Sequence, residues 1–157
     1  MSLASRDLLQ VSQDLLAVKN LTDSHISRAV STSYYAIFQH VCCAGGDLLT
    51  GNANKNYLKR AKEHLQRSID HKSLAKRCIE AQNPKLEFPR EIVEFCNALY
   101  TAQELRIQAD YNTYRRISKI DATTLLGQVK DAMDGFDSLQ KKHKIAFLIW
   151  ALLEKRK

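Results

Sequence analysis

Arg106, Asp110 and Tyr111 stand at i, i+4 and i+5 near the end of a helical stretch, and their types suit chemistry on a phosphate. A guanidinium grips phosphate oxygens in a planar fork and stays charged at any working pH. In such a site Asp110 would orient Arg106, and Tyr111 would donate a hydrogen bond. As a base the trio is weak, because an ordinary aspartate has a pKa of about 3.9. An Arg–Asp pair at this spacing also closes helices with no ligand involved. Directly after it come Tyr114, Arg115, Arg116 and Lys119. Single-strand binders use this mixture, with rings for bases and cations for the backbone. A further basic strip, Arg60, His64, Arg67 and His71, follows the i, i+4, i+7, i+11 spacing of one helix face, provided the helix runs on to residue 71. It suits phosphate contact, although Glu63 and Asp70 beside it fit a solvated polar face equally well.

Other site chemistries find no pattern. The histidines, His25, His40, His64, His71 and His143, are scattered, with no H-E-x-x-H and no Cys/His cluster at zinc spacing, so no metal is expected. No phosphate-binding glycine loop and no G-x-S-x-G surround a candidate nucleophile, so no cofactor is expected either. His40 lies beside an apolar stripe and reads as a satisfied or surface histidine.

The 157 residues fit a single domain, spanning 1–157, large enough to bury a core without metal or disulfides. Five glycines and two prolines are too few for a turn-rich β fold, so the composition points to long helices. The net charge of +7 favours an acidic partner such as nucleic acid, an acidic protein or a membrane surface, or serves solubility alone. Cys42, Cys43, Cys78 and Cys96 form no C-x-x-C pair and read as thiols in a reducing cytosol. The longest apolar run, Ile145 to Leu153, is nine residues, against the roughly 20 that span a bilayer. A soluble, cytoplasmic protein is expected.

Helical periodicity places the elements. Leu8, Leu9, Leu15 and Leu16 mark a helix over about 3–19. A second, near 24–46, carries Ile26, Val30, Tyr34, Ile37, Phe38 and Val41, and Gly45-Gly46 is expected to end it. Tyr34, Tyr35 and Phe38 on that stripe read mainly as core, with ligand stacking as the other reading. Further helices are expected near 55–69, 71–82 and 89–110, with Pro89 in the first turn of the last. Residues 111–120 form a connection, and Asp121 caps a helix carrying Leu125, Val129, Met133 and Phe136, with a bend near Gly135 to Lys144. The fold class is all-α, an up-and-down helical bundle of about five to six helices. Residues 144–157 form an apolar C-terminal helix. Being apolar on every face, it must pack across its own bundle or against another subunit, and a homodimer contact is favoured.

Two segments carry a family resemblance. Ala29-Val30-Ser31-Thr32-Ser33-Tyr34-Tyr35-Ala36-Ile37-Phe38-Gln39 resembles the A-x-S-R-A-Y-Y-A-x-F-H signature of a bacterial and archaeal HEPN subfamily, and Arg106, Ala109, Asp110 and Tyr111 match its R-x-x-A-D-Y. The arginine and histidine of the first signature are Thr32 and Gln39 here. Active HEPN ribonucleases carry an arginine, four to six residues, then a histidine. Arg60–His64 and Arg67–His71 leave only three residues between, and the positions after Arg106 are Tyr111, Asn112 and Thr113. The resemblance therefore implies a HEPN-like bundle that binds RNA or nucleotide without the nuclease pair, in a toxin–antitoxin or defence setting. It also implies a homodimer, with a small nucleotidyltransferase as protein partner. Two alternatives stay open: a metal-independent ribonuclease using Arg106, Asp110 and Tyr111, and a non-catalytic helical interaction module working through the last helix.

Overall fold

Thr22 opens the longest helix of the chain. Its Oγ1 accepts from the His25 amide while His25 Nδ1 accepts from the Thr22 amide, a reciprocal cap that satisfies two otherwise orphaned donors. The computed structural model describes residues 3–52, 54–112 and 114–153. Among them are seven α-helices and no strand: α1 (Leu3–Leu16), α2 (Asp23–Thr50), α3 (Asn56–Ser68), α4 (His71–Ala81), α5 (Arg90–Tyr111), α6 (Lys119–Ser138) and α7 (Lys141–Leu152). The fold is all-α, as composition and periodicity require. No helix among the described residues is long and apolar enough to cross a membrane.

α2 is the central element, packed against α1, α3, α5, α6 and α7. Its stripe Ile26, Val30, Tyr34, Ile37 and Val41 is fully buried, as the three-and-four spacing predicts. The expected stop at Gly45-Gly46 is wrong. α2 runs on to Thr50, and Gly46 serves close approach to α3 instead. A Cβ on Gly46 would lie 2.7 Å from Lys62 Cγ on α3, and one on Gly45 would lie 3.5 Å from Leu148 and Leu152 on α7. The terminating glycine is Gly51, at φ +60°, whose amide returns to the Asp47 carbonyl.

Three other boundaries shift for local reasons. α3 ends at Ser68, because Asp70 turns away to cap α4 with a 2.8 Å bond from the Ser73 amide. His71 therefore starts a new helix and leaves the strip of Arg60, His64 and Arg67. α6 begins at Lys119, capped by Ser118; Asp121, the third residue of its first turn, is the reciprocal partner of that cap and not the cap itself. The break expected between Gly135 and Lys144 does fall in that range, at Leu139-Gln140, with Gly135 itself inside α6. Pro89 occupies the N-cap of α5, one position ahead of its expected first turn.

α7 is a core helix of this bundle. Phe147, Leu148 and Ala151 are buried, and Phe147 packs edge-on against Phe95, Phe136 and Phe88. Trp150 donates to the Arg77 carbonyl on α4. Of the large apolar residues from Ile145 to Leu153, only Ile149 and Leu153 stay exposed, so most of the surface that suggested a dimer contact is already covered. The basic tail, 154–157, lies outside the described residues.

Candidate functional site

The inward stripe of α5 changes character along its length. Ile92, Phe95, Cys96 and Leu99 are apolar and fully buried. One, two and three turns later the same stripe carries Gln103, Arg106 and Asp110, at i+4, i+7 and i+11 from Leu99, and reaches the surface at Asp110. A polar stripe aimed inward is expensive unless its groups find partners. Most of them do.

Arg106 donates from Nε to Asp110 Oδ2 at 3.2 Å, and Ser31 of α2 donates to Asp110 Oδ1 at 2.8 Å. The guanidinium carbon lies 5.2 Å from the ring centre of Tyr34 and 5.3 Å from that of Tyr35, within cation–π range of both. Tyr34 is fully buried and its hydroxyl meets Nδ1 of His71 at 2.5 Å. The His71 ring lies flat against Phe38, with centroids 3.9 Å apart. α2, α4 and α5 thus converge on a cluster of Ser31, Tyr34, Tyr35, Phe38, His71, Arg106 and Asp110. Gln103 Oε1 is buried without a hydrogen-bond partner among the described residues.

The electrostatics of this cluster are one-sided. Burial, and then the nearby Arg106 charge, hold His71 below the ordinary histidine range; the Asp70 carboxylate opposes them. Burial drives the Tyr34 phenol well above its usual value, with Arg106 opposing. At neutral pH His71 is therefore neutral and Tyr34 keeps its proton.

Of the residues singled out in the sequence, Arg106 and Asp110 belong to this cluster. Tyr111 does not: it is 75% exposed and makes no hydrogen bond or ring contact among the described residues. The tyrosines at Arg106 are Tyr34 and Tyr35. Ile117 is buried and anchors the connection between α5 and α6, leaving Tyr114, Arg115, Arg116 and Lys119 exposed around it. Arg116 pairs with Asp23 at the start of α2, at 3.4 Å. Arg60, His64 and Arg67 line the exposed side of α3, which packs against α2. His71 starts α4, as the helix expected near 71–82 implies, so the condition that would place it on the strip of Arg60, His64 and Arg67 is not met. Asp70, followed three residues on by Ser73, was the available signal that a helix starts there.

A second polar cluster joins α1, α2 and α6. Ser5 Oγ lies 3.1 Å from His40 Nδ1, His40 Nε2 lies 2.7 Å from Asp137, and Arg6 bridges Asp134 and Asp137. The residue types are those of a serine hydrolase. However, Ser5 is fully buried and both imidazole nitrogens are engaged, so no substrate reaches the hydroxyl. This network is a helix staple. Burial lowers the His40 pKa, and the pull of Asp137 does not fully offset it. His71 is shifted the same way, so the unfolded chain takes up protons first as pH falls below about 6.5. Stability should fall from there and level off below the depressed folded values. His40→Gln should flatten that dependence in urea titrations across the same pH range.

The four cysteines are free thiols, with Cys42, Cys78 and Cys96 buried. Burial pushes Cys42 up to about 12, and contact with Cys78 together with burial raises Cys96 further. Among the described residues no three His, Cys, Asp or Glu side chains converge as metal ligands would. Compared with protein families, curated proteins and solved structures, the chain matches none at a significant level.

Proposed function

We propose that this protein is a binding module for RNA or nucleotide that seats a phosphate against Arg106 and performs no nuclease chemistry. The observation that carries this reading is the chain of contacts from Asp110 through Arg106 and Tyr34 to His71. The Tyr34 hydroxyl is buried and keeps its proton, so that proton needs an acceptor. Arg106 has only donors to offer. His71 Nδ1 is the acceptor in contact, which places the proton of the neutral imidazole on Nε2. A histidine in that tautomer donates a hydrogen bond; it does not remove a 2′-hydroxyl proton. Asp110 is already accepting from Ser31 and Arg106. The cluster thus offers donors to an anion and lacks a base.

Arg115 and Lys119 extend this surface with exposed cations that have no ion-pair partner among the described residues, and Tyr111 and Tyr114 offer exposed rings. The resemblance to HEPN domains supports the same reading, and with it a homodimer, a nucleotidyltransferase partner and a toxin–antitoxin setting. If Arg106, Arg115 and Lys119 each neutralise one phosphate, affinity for single-stranded RNA should fall roughly twentyfold between about 50 and 200 mM salt. Filter binding across that range tests it. Lys119→Ala should reduce the slope by about one contact, and binding that ignores salt would refute the reading.

A further inference from the structure

We infer that the Arg106 site is matched to the singly charged phosphodiester inside a single-stranded chain, and not to the doubly charged terminal phosphate of a free nucleotide. This rests on the phosphate-binding reading above and narrows its ligand.

The grounds are the charges that meet at the cluster. Among the described residues, the Arg106 guanidinium is the one cation of the groups contacting Arg106, Tyr34 or His71. Asp110 stands against it at 3.2 Å. Asp70 adds a second carboxylate beside His71; its bonds from Ser73 hold it below the usual carboxylate range, so it is ionised at neutral pH. Tyr34, Tyr35 and neutral His71 contribute no charge, only rings and hydrogen bonds. One guanidinium with a neutral N–H donor can serve a monoanion. A dianion would bring a second negative charge toward two carboxylates with no further cation in the cluster.

The remaining cations are arranged for a chain. Arg115, on the connection pinned by buried Ile117, and Lys119, the first residue of α6, are both exposed and stand four residues apart. Tyr111, the last residue of α5, and Tyr114 on the connection that follows are 75% and 98% exposed, rings of the kind that stack on bases. Half-exposed Tyr35 supplies a ring at the Arg106 end. A free mononucleotide would occupy one of these stations and leave the others empty.

A competition assay on the full chain tests the inference. A short fluorescent single-stranded RNA is displaced by adenylyl-adenosine, which has one diester and no terminal phosphate, or by adenosine 5′-monophosphate. The assay runs at about pH 8, where the monoester, with its second pKa near 6, is doubly ionised. The dinucleotide should compete at about tenfold lower concentration, a difference of about 1.4 kcal/mol. Asp70→Asn keeps a capping side chain and removes one opposing charge, so it should narrow that gap several-fold without disturbing α4. A monophosphate that competes as well as the dinucleotide would overturn the inference and leave phosphate binding intact. An unchanged gap in Asp70→Asn would overturn its electrostatic basis. Failure of the RNA itself to bind would overturn the phosphate-binding reading on which it rests.

Discussion

Phe147→Ala should cost about 3–5 kcal/mol of folding stability, the range for emptying a fully buried aromatic site. Phe147 is completely buried, and its ring meets Phe95 of α5, Phe136 of α6 and Phe88 in one aromatic cluster. A domain of this size has a total stability of about 5–15 kcal/mol, so the variant stands near the edge of unfolding. Ile149, on the same helix but 51% exposed, should tolerate alanine within about 0.5 kcal/mol. Urea denaturation of the two variants reads the difference directly. If α7 were chiefly a subunit contact, the order would reverse: Ile149→Ala would weaken the dimer, and Phe147→Ala would leave the monomer standing.

Arg106→Ala should lower RNA affinity by about 10- to 100-fold, the equivalent of one or two charge-assisted hydrogen bonds to phosphate. Arg106→Lys should recover little of it. The guanidinium lies over two tyrosine rings while its Nε bonds Asp110, and a lysine ammonium cannot hold that planar arrangement. The pair of variants separates two mechanisms. General attraction to a basic surface would be restored by lysine, whereas a shaped site would not. Because Arg106 also joins α2 to α5, thermal melts of both variants should accompany the titrations. A variant that melts normally yet binds poorly locates the loss at the site.

Periodicity made the helices legible, and the buried stripes of α2 and α6 fall where the apolar spacing put them. The failures came where one residue type serves two purposes. A glycine pair in a helical run reads as a terminator, yet here the helix continues through it and Gly46 lets α3 approach α2. A basic i, i+4 series reads as one face, yet Asp70 interrupts it by capping α4. The all-apolar segment at 145–153 left open whether its cover was internal or external, a question about tertiary packing that local spacing cannot answer. For the site, Arg106 and Asp110 were visible because they are neighbours on one helix. His71 reaches them from another helix across the Tyr34 hydroxyl, and a search for histidines at a fixed spacing after an arginine passes over it. The Ser5–His40–Asp137 staple escaped for the same reason, since its members come from three helices.

The most direct test of a donor-only phosphate site is to incubate the protein with single-stranded RNA in EDTA at low salt, reading binding and chain length together. Binding that weakens with salt, with the RNA left intact, is the predicted result. Metal-independent cleavage that disappears in Arg106→Ala or His71→Gln would contradict it, because it would require a base where the proposal places only donors.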